Sequence, residues 1–149
     1  MKILFKKLRE GAVLPKFGND DSMNAGLDLC SSSNVIIYLN PGESKIIPTG
    51  IAWEPVSGSR CAMIVQSRSG LAFKHGIEAS NAGVVDASYR GEIMVKLYNT
   101  SSHVYAVEPG ERIAQGIVYL LPEITEICEV DELNESARGM DGFGSTGRK

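Results

Sequence analysis

Asp86 follows two valines, Val84 and Val85, with Tyr89 three residues on and glycines at 83 and 91. A carboxylate beside an apolar wall is the setting in which a general base is tuned, because poor solvation raises its proton affinity. The bracketing glycines allow NAGVVDASYRGEI, residues 81–93, to form a hairpin that a small planar ligand can approach closely. On this segment alone the plainer reading is a β-hairpin with an exposed aspartate in its turn. A second segment, QSRSGLA at 66–72, follows the apolar run RCAMIV and sets Arg68, Ser69 and Gly70 at its end. A guanidinium fork, a hydroxyl and a glycine that lets the backbone come close make a phosphate cradle; the same residues also make an ordinary polar turn.

Three further stretches carry polar groups that core packing does not require. In AGLDL, Asp28 lies between Leu27 and Leu29, so on a strand it points away from both, toward solvent or toward a site. In PGERIAQGI, residues 109–117, Arg112 can pair with acidic groups and Gln115 can donate to a phosphoryl oxygen, although both also serve as structural residues. The tail RGMDGFGSTGRK, residues 138–149, holds four glycines, one aromatic and three cations. Glycine loses more conformational freedom on ordering than any other residue, so the tail is either a loose terminus or a flap that orders over a phosphate-bearing ligand. A GxxxxGK[ST] phosphate loop is absent, which disfavours a kinase or P-loop ATPase.

The elements that must position these groups are strands. NVIIYLN, KIIPTGIAW, RCAMIVQS, GEIMVKLYN, HVYAVEPG and RIAQGIVYLL are rich in valine and isoleucine and end in Gly, Pro, Asn or Ser. MKILFKKLREG reads as a first strand, because Lys6 and Lys7 break the apolar stretch a signal peptide needs. Only RSGLAFKH looks briefly helical. The expectation is one all-β domain, a jelly-roll-like barrel with at most one short helix. It comprises a barrel and acidic arm over 1–137 and the glycine-rich tail over 138–149. The arm, Glu123 to Ala137, acts as a spacer that can carry the tail to a neighbouring subunit.

The 149 residues make one domain, and no apolar run approaches the roughly 18 residues of a membrane span. Three cysteines without CxxC spacing and two distant histidines indicate neither a zinc site nor a disulfide framework, and a reducing cytoplasm fits best. A net charge of -3 argues against a broad footprint on a nucleic-acid polymer; a free nucleotide is the better match.

Taken in order, AGLDL, RSGLA, GVVDASYRGE, GERIAQ and RGMDGFGSTG resemble the five motifs of the trimeric dUTP diphosphatase (dUTPase) family, from Ala25 to Gly147. The resemblance implies a homotrimer whose three active sites are each built from motifs of all three subunits. The implied reaction is hydrolysis of dUTP to dUMP and diphosphate, which would keep uracil out of DNA and supply dUMP for thymidylate. Asp86 would orient and deprotonate the water that attacks the α-phosphorus in line, with Mg²⁺ held by the triphosphate and waters rather than by side chains. Arg68, Ser69, Gly70 and Gln115 match phosphate-contacting positions, and Asp28 and Arg112 support them.

In the tail, Arg138 matches the residue that reaches the γ-phosphate. Gly144, Ser145 and Thr146 complete that cradle, and Phe143 covers the uracil. Gly83, Val84, Val85 and the Met94 backbone match the uracil-reading segment, with Asn81 beside it, and Tyr89 packs on the deoxyribose where a 2′-hydroxyl would clash. The chain departs from the common pattern at Ser67, Ser80, Glu111, Gly116 and Asp141. The resemblance implies the cytoplasm, or the interior of a host cell for a viral source. The competing readings are a dCTP deaminase-type relative and a nucleotide-binding regulator without turnover.

Overall fold

The computed structural model describes residues 1–56, 60–80, 83–137 and 139–140. Twelve strands and one short α-helix follow one another: β1 (Lys2–Lys7), β2 (Lys16–Phe17), β3 (Leu27–Cys30), β4 (Ile37–Leu39), β5 (Ser44–Pro48), β6 (Ile51–Val56), β7 (Cys61–Gln66), α1 (Ser69–His75), β8 (Ile77–Ala79), β9 (Val84–Asp86), β10 (Met94–Asn99), β11 (Tyr105–Val107) and β12 (Arg112–Leu120). All pairings are antiparallel: a five-stranded sheet in the order β2-β3-β12-β7-β9, a three-stranded sheet β5-β10-β8, and the pairs β1-β6 and β4-β11. One cluster of buried side chains joins them, with Leu29, Leu39, Ile47, Trp53, Met63 and Leu97 contributed by six different strands. The all-β, jelly-roll-like reading holds, and the single helix lies where RSGLAFKH marked it.

Alternation explains why these segments become strands. Along β10, Val95, Leu97 and Asn99 point inward while Met94, Lys96 and Tyr98 face out. Asn99 is tolerated in the core because its amide is satisfied on every side. It donates to the carbonyls of Leu39 and His103 (2.9 and 2.8 Å) and accepts from the Ser101 amide and hydroxyl. The α1 helix stops at Gly76, whose φ of 65° is the left-handed cap glycine favours.

KIIPTGIAW, expected as one segment, is two strands. Gly50 breaks it at φ +67°, and a Cβ there would stand 2.7 Å from that of Ala12, so the chain turns where a side chain has no room. Residues 121–137 hold neither strand nor helix and are exposed throughout. Leu121, Ile124, Ile127, Val130 and Leu133 recur there at every third position, and Glu123, Glu126, Glu129, Glu132 and Glu135 keep the same step. No helix among the described residues is long and apolar enough to cross a membrane.

Candidate active site

The first cluster forms where three neighbouring strands end. Gln115 of β12 stands opposite Asp28 of β3 on one side and Gln66 of β7 on the other, and β7 leads through Ser67 and Arg68 into α1. This register brings residues 28, 68 and 115 together although 87 positions of sequence separate the first from the last. Asp28 is not the solvent-facing aspartate that AGLDL alone allows: its side chain is only 12% exposed. One carboxylate oxygen accepts from Arg68 Nε at 3.0 Å and the other from Arg112 Nη1 at 3.1 Å. Arg68 also donates from Nη1 to the Arg112 carbonyl at 3.0 Å, so its guanidinium is fixed in plane and position.

Two cations around one carboxylate leave a net positive rim on a cavity of about 420 Å³ lined by Asp28, Arg68, Ser69, Gly70, Arg112 and Gln115. The Gln115 amide donates to the Ser67 carbonyl at 3.0 Å, and its oxygen lies so close to Gly26 that a Cβ there would sit 2.7 Å away. Gly26, inside the AGLDL motif, is therefore a site residue whose role the motif itself did not reveal. Beneath the cluster, burial and the neighbouring Asp28 charge push the Cys30 thiol up from its ordinary value, which keeps it protonated and unreactive.

Two departures from the family pattern have structural reasons here. The Ser67 hydroxyl accepts from the Ala79 amide at 2.9 Å and ties the arginine turn to β8. The Glu111 carboxylate accepts the Tyr105 hydroxyl and the Glu108 amide (2.9 Å for the latter), closing the turn that presents Arg112. Burial, followed by that bond to Glu111, pushes the Tyr105 hydroxyl well above its ordinary value, so it stays a donor.

The second cluster surrounds Asp86, and the segment around it is not a hairpin. β9 pairs only with β7, with Asp86 opposite Ala62, whereas β10 pairs with β5 and β8, so residues 84–99 cross from one sheet to another. The cause lies at Ile93, which is 1% exposed. Its amide donates to the Ile51 carbonyl at 2.8 Å and its carbonyl accepts the Thr49 hydroxyl at 2.6 Å, drawing the second arm away from the first. The turn is closed by Tyr89 N–H donating to the Asp86 carbonyl at 3.1 Å.

Trp53, the sole tryptophan and 1% exposed, donates from Nε1 to that same carbonyl at 3.2 Å. The backbone of Asp86 is thus pinned from the core while its side chain is exposed, and among the described residues nothing hydrogen-bonds to the carboxylate. Nothing in the sequence around Trp53 marks it as a partner of Asp86; the packing of the β1–β6 pair against the five-stranded sheet brings it there. A cavity of about 220 Å³ gathers Gly83, Val84, Val85, Asp86, Tyr89 and Met94. Gly83 must be glycine: a Cβ there would stand 2.6 Å from Val65 Cβ, and its carbonyl accepts the Val65 amide at 2.7 Å. A methyl on Gly91 would overlap the Tyr89 ring, whose hydroxyl donates to the Glu92 carbonyl at 3.1 Å.

The chain therefore assembles its cationic cradle and its carboxylate site separately, in cavities with no lining residue in common. Asn81, Arg138, Phe143, Gly144, Ser145 and Thr146 lie outside the described residues, as does Asp141. Among the described residues no group of three His, Cys, Asp or Glu side chains is arranged to hold a metal ion.

The dUTPase family model matches residues 15–147. The chain is 44% identical over 149 residues to the deoxyuridine 5′-triphosphate nucleotidohydrolase of Nautilia profundicola, covering 99% of this chain and 100% of that one. It is 43% identical to the protein of the same name from Wolinella succinogenes, over 99% and 95% of the two chains. Its fold matches the Staphylococcus bacteriophage 80alpha dUTPase solved with dUPNHPP at a TM-score of 0.84, with 26% identity and 98% of each chain covered.

Proposed function

Since the chain belongs to the dUTPase family, we propose that it hydrolyses dUTP to dUMP and diphosphate, with Asp86 as base and the Arg68 cluster as phosphate cradle. The observation that carries this reading is the contrast between two carboxylates. Asp28 is locked between two arginines and serves them, whereas Asp86 is exposed on a backbone pinned by Trp53. The first organises cations for an anionic ligand; the second is available to a water molecule.

In the reaction the Asp86 carboxylate accepts a proton from water as its oxygen bonds to the α-phosphorus. The bridging oxygen–phosphorus bond breaks opposite the attack, and diphosphate leaves with the electron pair. Arg68, Ser69, Gly70 and Gln115 hold the phosphates so that attack and departure stay in line. Both Asp28 oxygens are already taken by arginines, so magnesium would come with the substrate and would supply charge neutralisation on the phosphates that Arg68 and Gln115 hold. The carbonyl of Gly83 is engaged by Val65, which leaves its N–H for a uracil oxygen, and the Met94 backbone supplies the next group. Cytosine inverts part of that donor and acceptor order and would leave buried groups unpaired. The Tyr89 ring packs on the deoxyribose.

The separation of the cradle from Asp86 within one chain supports a homotrimer that completes each site with a neighbour's residues. On this reading the exposed arm 121–137 carries the tail across, and residues 138–149 close as a flap with Arg138, Ser145 and Thr146 on the phosphates and Phe143 on the base. The test is diphosphate release from dUTP, dCTP, dTTP and UTP, each with Mg²⁺ and with chelator. Release confined largely to dUTP and suppressed by chelator is expected. Ammonia release from dCTP would point to the deaminase reading, and binding of dUTP without turnover to the regulator.

A further inference from the structure

Glu92 lines the Asp86 cavity, and its carboxylate is tied to groups from two other parts of the barrel. One of its oxygens accepts the Gly50 amide at 2.6 Å and the other pairs with the Arg9 guanidinium, while the Glu92 backbone carbonyl accepts the Tyr89 hydroxyl. The Glu92 side chain is 17% exposed, which strengthens both contacts relative to a surface pair.

Gly50 is itself held on two sides. Its carbonyl accepts the Leu8 amide at 2.8 Å, and its positive φ sets it tightly against Arg9 Cγ and Ala12 Cβ. The N-terminal segment and the β5–β6 turn thus form a fixed post. Held at that post by its carboxylate, Glu92 presents the backbone carbonyl that accepts the Tyr89 hydroxyl.

We infer that Glu92, with Arg9 as its counterion, is a positioning residue for substrate specificity: it fixes the Tyr89 ring over Gly91 and so sharpens discrimination between deoxyribose and ribose triphosphates. The inference rests on the reading of Tyr89 as the residue that meets the sugar. Tyr89 is 46% exposed and lacks a packed shell of its own, so its angle depends on the hydroxyl anchor and the glycine beneath it. A 2′-hydroxyl is excluded only where the ring cannot yield. Loosening the anchor lets the ring retreat for UTP and costs dUTP less, because the deoxyribose packs on the ring without forcing it back.

The test is the ratio of kcat/KM for dUTP to that for UTP, measured on the full-length protein. A loss of folded or active protein scales both terms equally and leaves this ratio unmoved. Glu92→Ala is expected to lower it about fivefold, the factor one net hydrogen bond is worth, whereas Glu92→Gln keeps an acceptor for the Gly50 amide and restores most of it. Tyr89→Phe removes the same anchor from the other side, and the double variant should fall no further than either single one.

A ratio unchanged in Glu92→Ala but lowered in Tyr89→Phe would overturn the role of Glu92. Independent, multiplying effects in the double variant would do the same. An unchanged ratio in Tyr89→Ala would refute the assignment of Tyr89 to the sugar, and the inference with it; loss of dUTP turnover in the unmodified protein would refute the activity itself.

Discussion

At the scale of residues, the two aspartates make opposite predictions. Asp86→Asn removes the proton acceptor without changing shape, so kcat should drop by about 10²- to 10⁴-fold while dUTP still binds, as titration of the inactive variant would show. Asp28→Asn leaves Arg68 and Arg112 without their shared carboxylate and should lower stability by about 2 kcal/mol in urea unfolding, besides weakening phosphate binding. Part of this was legible in the sequence: Asp86 between valines and Tyr89, and Arg68 with Ser69 and Gly70, announce their chemistry by type and spacing. The partners were not. That Asp28 is clasped rather than solvated follows from register between strands distant in sequence, and that Trp53 holds the Asp86 carbonyl follows from the packing of one sheet against another; no local pattern encodes either.

At the scale of elements, the longer strands and α1 were readable because alternation and turn residues are local signals, while the short β2 and β8 carried no such pattern. Their pairing was not. The crossing from β9 to β10 looked like a hairpin because glycines bracket it, yet those glycines serve close approach: Gly83 to Val65 and Gly91 to Tyr89. Gly91→Ala should therefore displace the Tyr89 ring and raise KM for dUTP with a smaller change in kcat, measured by steady-state kinetics. Gly116, which stands where leucine is common, is similarly explained by its neighbour. A Cβ there would stand 2.6 Å from the Met63 sulfur, so the thioether fills the space a side chain would need. Ser67→Ala should remove the tie between the arginine turn and β8 and cost about 1 kcal/mol of stability.

For the whole molecule, one chain holds its cationic cradle and its exposed Asp86 carboxylate in two cavities that share no lining residue. Removing residues 138–149 should leave the thermal unfolding midpoint of the protein nearly unchanged while abolishing most turnover, because the described core cluster is drawn from residues 3–118. The arm before it shows five exposed apolar residues in steps of three, a surface to be covered rather than solvated. The most direct measurement is complementation. Chains carrying Asp86→Asn and chains carrying Arg68→Ala, each inactive alone, are co-expressed, purified as mixed oligomers and assayed for diphosphate release from dUTP. If each site takes its base from one subunit and its cradle from another, random mixing restores about a quarter of the unmodified activity. Mixed oligomers as inactive as either parent would place base and cradle in the same chain and contradict the shared site.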